Sequence, residues 1–253
     1  RHILRSLSQW HERWAFCGAS AAVMHGLDCS YRQLHPIHVA VGRNSRPRNQ
    51  RYVRFHVLDD AETVAVDGAR VTSILRTLVD CAAMMPRRYA MAPIDSALRQ
   101  GKTTVEQMLE YVDAIPMLRD RERIRAVLAQ GDGRVENGGE SECRAVLDEL
   151  GFPVHRVQVE FPCLSHPGRV HRVDFLWERD DGTLIAGEFD GVQKYVDPLM
   201  TAGRTIRQVV DDERDRQQCL SRRGVDMVRM FYRDLDNAQV LAYRLEQARV
   251  PRR

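Results

Sequence analysis

Lysine is nearly absent from this sequence: Lys102 and Lys194 are the only lysines among 38 Lys and Arg residues. Arginine carries the remaining positive charge, and the acidic residues leave a net charge of only +3. This small net charge excludes neither nucleic acid nor protein as a partner. The Arg codons of a GC-rich genome explain most of the bias, but a lone lysine soon after an acidic strand also suggests a role for Lys194.

Long apolar runs and closely spaced cysteines are missing as well. No run approaches the roughly 18 residues of a membrane helix, and the first residues do not have the pattern of a signal peptide. The six cysteines, at positions 17, 29, 81, 143, 163 and 219, form no CxxC pair. We therefore expect scattered reduced thiols without a zinc site, in a cytoplasmic protein that is not associated with a membrane.

The length and composition predict two soluble globular domains. The 253 residues exceed the usual size of one domain, and 43% hydrophobic with 29% charged residues is ordinary for a folded protein. Gly131, Gly133, Gly138 and Gly139 mark a flexible joint between the halves. We place the domains at residues 1–132 and 133–253.

The first half alternates helical and strand patterns. A helix is predicted over residues 10–25, followed by strands over 35–41 and 52–58. A hairpin is predicted over 63–71 around an Asp-Gly turn, and the Thr-Ser pair after it can cap the next helix. The first half is therefore expected to be an α+β domain.

A basic loop connects the first two of these strands. Residues 43–54 contain five arginines and no acid. Such a loop can bind phosphates, because each neutralised phosphate releases counterions and adds affinity that does not depend on sequence. Arg43, Arg46 and Arg48 are candidate nucleic-acid contacts. The alternative is a solvated loop without a partner.

Three segments of the first half, GASAAVMHGL, HVAV and DGARVTSILRTLVDCA, have the pattern of a known family. They resemble the domain outside the helix-turn-helix in AbiEi-type abortive-infection antitoxins, over about residues 15–100. The resemblance implies a toxin-antitoxin setting with a cognate toxin as partner. Because only about 15 residues precede the match, we expect no complete winged helix in front of it.

The second half is organised around a hairpin at residues 170–194. Alternating runs flank the turn signal Asp180-Asp181-Gly182. With a three-residue loop Asp174 lies opposite Glu188, whereas a two-residue loop moves the partner by one; in both cases Asp190 shares the face of Glu188. Like charges on one sheet face destabilise it, so a cation is expected, and oxygen ligands favour Mg²⁺ or Mn²⁺. The alternative is a solvated hairpin tip with ordinary surface acids.

A fourth acid precedes the hairpin. Glu140 continues the apolar stripe of Cys143 and Leu147 one helical turn earlier. A carboxylate in line with core residues should meet a charge or a metal. The alternative is a helix N-terminal acid that the macrodipole favours.

The order helix, three strands, helix and strand resembles the PD-(D/E)XK nuclease superfamily, within it the branch of very-short-patch repair endonucleases. The resemblance covers about residues 138–236 and rests on ESECRAVLDELGFP, Gln158, RVDF, EFDG, Lys194, DDERDRQQCL and VRM. It implies an α/β restriction-endonuclease-like domain with a central mixed sheet flanked by helices. Glu140 matches the family's helix glutamate, Asp174 its strand-two aspartate and Glu188 the glutamate of its third motif. Asp190 stands where the family usually has lysine.

This resemblance implies a metal-dependent hydrolase acting on DNA phosphodiesters. Asp174, Glu188 and Glu140 would hold Mg²⁺ or Mn²⁺, Asp190 would be a further ligand or general base, and Lys194 would stabilise transition-state charge. The remaining candidates are one orienting group and two phosphate contacts, namely Gln158, Arg214 and Arg229. The alternative is a non-enzymatic regulator that keeps the nuclease fold to bind DNA or protein.

Overall fold

The computed structural model describes residues 1–45, 47–58, 61–190 and 206–253, and only the backbone of residues 206–213. The chain divides into two compact units, Arg1–Glu142 and Cys143–Arg253. Each unit has its own mixed sheet with helices, as the sequence predicts at this level of detail. Within the described ranges, no helix is both long and apolar enough to span a lipid bilayer.

A five-stranded sheet forms the centre of unit 1. Its strands are β1 (Ala15–Phe16), β2 (Ile37–Val41), β3 (Val53–Val57), β4 (Thr63–Val66) and β5 (Ala69–Thr72). The spatial order is β3-β2-β1-β5-β4, with β1 antiparallel to β2 and parallel to β5. Its helices are α1 (His2–Trp10), α2 (Gly18–Met24), α3 (Ile74–Met84), α4 (Arg87–Arg99), α5 (Val105–Ala114) and α6 (Arg121–Leu128).

The helix predicted over residues 10–25 is wrong in its first half. Ala15 and Phe16 are buried and form β1, which pairs with both of its neighbours in the middle of the sheet. The helix α2 begins only at Gly18, whose φ of +51° suits glycine. Sheet pairing and burial therefore override the local helical pattern.

The turn from β5 into α3 is built from the residues that carry the antitoxin-like pattern. Ser73 caps α3 by accepting a hydrogen bond from the backbone N–H of Arg76, and the hydroxyls of Thr72 and Thr77 lie 2.8 Å apart. One turn later the Nε of Arg76 donates to Asp80 at 2.8 Å, with both side chains buried. Burial raises the pKa of Asp80 to about 6, against the lowering effect of the Arg76 charge. This motif therefore links the end of β5 to the first two turns of α3.

Two histidines of neighbouring strands contact each other in unit 1. The Nδ1 of His38 on β2 lies 2.8 Å from the Nε2 of His56 on β3, and the rings stack. Burial, together with the charges of His56 and Arg54, lowers the pKa of His38 from 6.5 to about 4. Burial also lowers the pKa of His56. The pair is thus held in the neutral form in the folded state.

Unit 2 contains a four-stranded sheet. Its strands are β6 (Arg156–Pro162), β7 (Val170–Glu178), β8 (Leu184–Asp190) and β9 (Val225–Phe231), in that spatial order. β7 runs antiparallel to both β6 and β8, whereas β8 runs parallel to β9. The helix α7 (Gly138–Glu149) precedes the sheet and carries the division between the units, while α8 (Ile206–Arg222) and α9 (Ala238–Gln247) belong to unit 2.

The β7–β8 hairpin has the register that a three-residue loop predicts. Phe175 pairs with Gly187 and Glu178 with Leu184, and Gly182 adopts a φ of +81° in the turn. One face of the hairpin is apolar, with the indole of Trp177 lying over Gly187. A Cβ at Gly187 would approach that ring to 2.7 Å, so only glycine fits there. The opposite face carries the acids.

Removal of the buried guanidinium of Arg76 should strongly destabilise unit 1. We expect Arg76→Ala to lower the free energy of unfolding by about 3–5 kcal/mol, because Asp80 is left buried without its partner. Chemical denaturation followed by circular dichroism measures this. The control Asp67→Asn breaks the exposed pair of Arg1 and Asp67 and should change stability by less than about 0.5 kcal/mol. Equal effects of the two variants would contradict the prediction.

The histidine pair predicts a stability that falls with acidification. The unfolded chain takes up a proton at His38 below pH 6.5, whereas the folded chain resists protonation down to about pH 4. The contribution of His38 to the melting temperature should therefore fall as the pH drops through this window, whereas Asp80, whose pKa is raised to about 6 in the folded chain, acts in the opposite direction. We expect His38→Asn to flatten this fall, whereas replacement of the exposed His2 by Asn should leave it unchanged. The same pH dependence of the melting temperature in the wild type and in His38→Asn between these pH values would contradict the prediction.

Candidate carboxylate site

A polar row crosses the sheet of unit 2 at one level. Val157 and Val159 pair with Phe175 and Val173, which sets Gln158 across from Asp174. Asp174 and Glu188 come directly before and directly after the paired residues Phe175 and Gly187, and Glu188 pairs with Arg229 on β9. All four strands thus contribute one polar residue to the same row.

Asp174 is held at the centre of this row. Its Oδ2 accepts a hydrogen bond of 2.8 Å from the backbone N–H of Phe189, the residue after Glu188. The side chain is half-buried. This bond fixes the carboxylate over the adjoining strand, where it faces its acidic neighbours.

Glu188 is the most buried acid of the site, with 5% of its surface exposed. Burial raises its pKa; the charges of Asp174 and Asp190 add to this, while Arg216 and Arg229 oppose it. The guanidinium of Arg216 on α8 forms an ion pair with Glu188, and that of Arg229 lies 3.7 Å from Asp190. Three carboxylates and two arginines therefore lie together on one sheet face.

The helix α8 places Arg216 over this face. Leu220, one turn later on the same side of the helix, packs into a core with Leu176 and Ala186. Arg216 therefore approaches the acids because the apolar residues of α8 dock beside them. Arg214 is exposed.

Gln158 has an unusual backbone. Its φ is +52°, the left-handed region that non-glycine residues rarely adopt, although it lies within a strand. The conformation costs about 1–2 kcal/mol for an L-residue. Strain of this kind next to a polar cluster is typical of functional sites.

Glu140 lies in unit 1, at the start of α7. Its carboxylate accepts hydrogen bonds from the backbone N–H of Glu136 at 3.0 Å and from the side-chain amide of Asn137. Asn137 in turn accepts from the backbone N–H of Glu140 at 3.0 Å. These contacts cap the helix, as the N-terminal-acid interpretation predicts. A metal-ligand role for Glu140 stays a prediction.

The other candidate cations are spread over the chain. Arg43 and Arg48 are exposed in the connection between β2 and β3 of unit 1. Arg46 and Lys194 lie outside the described residues. Nucleic-acid contacts by these residues, and a transition-state role for Lys194, stay predictions.

The expectation of scattered cysteines is wrong for two of them. The Sγ atoms of Cys163 and Cys219 lie 3.6 Å apart, and His171 lies close to both. Their separation of 56 residues hid this proximity. The Cys-x-x-His spacing of Cys163 and His166 was the available signal.

The comparisons with known proteins give a family match within unit 1 and two relatives whose similarity extends into unit 2. Residues 14–130 match the family model of the AbiEi antitoxin C-terminal domain, which confirms the resemblance of the first half. Two Mycobacterium tuberculosis proteins, "Uncharacterized protein MT2308" of strain CDC 1551 / Oshkosh and "Uncharacterized protein Rv2248" of strain ATCC 25618 / H37Rv, are similar to the chain. Each is 28% identical over 213 residues, which cover 78% of this chain and 74% of the relative. The nuclease resemblance of unit 2 stays a prediction.

The strained backbone of Gln158 predicts a reversal of the usual ranking of alanine and glycine. In an ordinary strand glycine is less stable than alanine by about 0.5–1 kcal/mol. At Gln158 we expect the glycine variant to be more stable than the alanine variant by about 1 kcal/mol, because glycine adopts a positive φ without strain. Denaturant unfolding of both variants measures the difference. The same two substitutions at the exposed Glu160 are the control and should show the usual ranking.

Proposed function

We propose that unit 2 is a metal-dependent nuclease that hydrolyses DNA phosphodiesters, and that unit 1 places this activity in a toxin-antitoxin setting with a cognate toxin. The observation that carries the proposal is the convergence of Asp174, Glu188 and Asp190 on one sheet face. The negative charges of three acids on neighbouring strands repel one another, so these residues do not stabilise the sheet. The match of residues 14–130 supports the second part.

The donor set suits a hard divalent cation. Asp174 and Glu188 offer only carboxylate oxygens, and Asp190 adds a third carboxylate beside Glu188, which is the ligand chemistry of Mg²⁺ or Mn²⁺. A bound ion would supply Lewis acidity toward the scissile phosphate and toward an attacking water. We assign Asp174 and Glu188 as its ligands and Asp190 as a further ligand or a base.

The positive charges of Arg216 and Arg229 complement the negative charge of DNA phosphates. Arg229 and Arg216 bring two guanidinium groups to the acidic row, and a guanidinium can bind phosphate oxygens through two parallel hydrogen bonds. Arg229 is 29% exposed at its side chain and Arg216 24%, so both are accessible from solvent. In the proposal they bind the phosphates that flank the reacting group, and Gln158 orients the substrate from the adjoining strand.

A second candidate is a regulator without catalysis. The ion pair between Arg216 and Glu188 favours it, because a guanidinium already neutralises the most buried acid. In that case unit 2 binds DNA or protein through its basic residues, and the acids only position the arginines. Addition of metal then has no effect on the protein.

A cleavage assay separates these functions. Supercoiled plasmid and single-stranded DNA are incubated with the protein and Mg²⁺ or Mn²⁺, and compared with Asp174→Asn and Glu188→Gln. We expect both variants to lose cleavage by at least about 100-fold, since each removes a carboxylate charge that would hold the metal ion, which in turn would stabilise the negative charge of the transition state. The matched control is Glu178→Gln, which changes an exposed acid at the end of the same strand as Asp174.

The result that overturns the nuclease proposal is equally clear. Cleavage that survives in both variants, or a wild type that cuts neither substrate with either metal, removes it. DNA binding measured against salt then tests the regulator, for which the logarithm of affinity should fall with a slope of about 0.9 per phosphate contact. Arg229→Gln should reduce that slope by about one contact.

A further inference from the structure

Unit 2 contains a second cluster of side chains that can bind a metal ion. None of its residues belongs to the acidic row. One nitrogen of His171 and the sulfurs of Cys163 and Cys219 all lie within 4.8 Å of one another. The three residues come from the β6–β7 connection, the start of β7 and α8. We call them the thiol cluster. Sulfur and imidazole are the ligands of softer cations than Mg²⁺.

The β6–β7 connection is shaped to present two of these ligands. The backbone N–H of Cys163 donates to the carbonyl of Arg169 at 2.7 Å, and that of Arg169 donates to the carbonyl of His166 at 3.1 Å. The sequence His166-Pro167-Gly168-Arg169 forms a tight turn in which Gly168 has a φ of +87°. Cys163 and His166 are thereby held on a short, hydrogen-bonded loop, with the Sγ of Cys163 3.9 Å from the Nδ1 of His166.

The helix α8 brings the remaining sulfur to this loop. The backbone N–H of Leu164 donates to the Sγ of Cys219 at 3.1 Å. One turn further on, Arg223 donates to the carbonyl of Pro162 at 2.6 Å. A backbone N–H aimed at a cysteine sulfur is the kind of outer contact that orients a metal-bound thiolate.

The distances match a shared metal ion. Two thiolates on a tetrahedral zinc at about 2.3 Å are about 3.8 Å apart, close to the 3.6 Å between Cys163 and Cys219. Both cysteines are free thiols. A sulfur and a nitrogen on the same ion are about 3.5 Å apart, slightly less than the 3.9 Å between Cys163 and His166. Small side-chain rotations would close the difference.

His171 supplies an independent indication of a ligand. It is 4% exposed, and its Nε2 has no hydrogen-bond partner among the described residues. A buried polar atom without a partner costs about 1–3 kcal/mol, so binding of a cation to this nitrogen would remove that cost. The cavity beside it is lined by the thiol cluster together with His166 and is open to solvent.

We propose that Cys163, His166, His171 and Cys219 form a structural Zn²⁺ site that ties the β6–β7 connection to α8. The Sγ atoms of Cys163 and Cys219, 3.6 Å apart, and one ring nitrogen of His171 lie close enough together to bind one ion. Since α8 also carries Arg216, the ion anchors the helix that faces the acidic row.

Metal content tests the proposal directly. Protein purified without chelator, then supplied with Zn²⁺ and desalted, should retain about one zinc per chain by elemental analysis. Cys219→Ser and His171→Ala should lose most of it. The matched controls are Cys29→Ser, a free cysteine of unit 1, and His155→Ala, an exposed histidine just before β6, and both should retain the metal.

Two measurements on the unaltered chain keep the test independent of whether the variants fold. Cobalt(II) replacing zinc should give the intense red-region bands of tetrahedral coordination together with a thiolate-to-cobalt charge-transfer band. Chelation should increase alkylation of Cys163, mapped by peptide mass spectrometry, without changing that of Cys29. A wild type that retains no zinc, a cobalt spectrum without thiolate bands, or a Cys163–Cys219 disulfide in the freshly isolated protein would overturn the proposal.

Discussion

The docking of α8 on the second sheet is the constraint on which both sites of unit 2 depend. Leu220 packs into the core beneath the helix. This packing fixes the positions of Arg216, one turn before it, and of Cys219, next to it. Arg216 meets Glu188, and Cys219 meets the loop that carries Cys163. A buried glutamate is tolerated only because a guanidinium stands against it, and that guanidinium is there because apolar packing holds its helix.

The residues that carry the antitoxin-like pattern of unit 1 have structural roles. The residues of its antitoxin-like pattern are used to cap α3, to join two hydroxyls and to bury the pair of Arg76 and Asp80. The match over residues 14–130 therefore reflects how this unit folds. Arg43 and Arg48, the candidate nucleic-acid contacts, are exposed and take no part in this packing.

Local signals predicted the elements of the chain well wherever chemistry and periodicity agreed. Of the two hairpin registers that the sequence left open, the structure has the one with a three-residue loop, in which Phe175 pairs with Gly187 and the adjoining residues Asp174 and Glu188 lie on neighbouring strands. The helix over residues 10–25 failed because β1 is only two residues long and its conformation is decided by two neighbouring strands. The positive φ of Gln158 had no signal either, since no residue type there demands it.

The sequence by itself determined the alternation of strands, the turn types and the face on which the acids lie, because side-chain period and turn chemistry are local properties. Only the tertiary structure decided which cations meet those acids and which thiols meet each other. Arg216 and Cys219 are far along the chain from Glu188 and Cys163, so packing of α8 alone sets their distances. Contacts between distant segments depend on how apolar faces dock, and no spacing in the sequence encodes that directly.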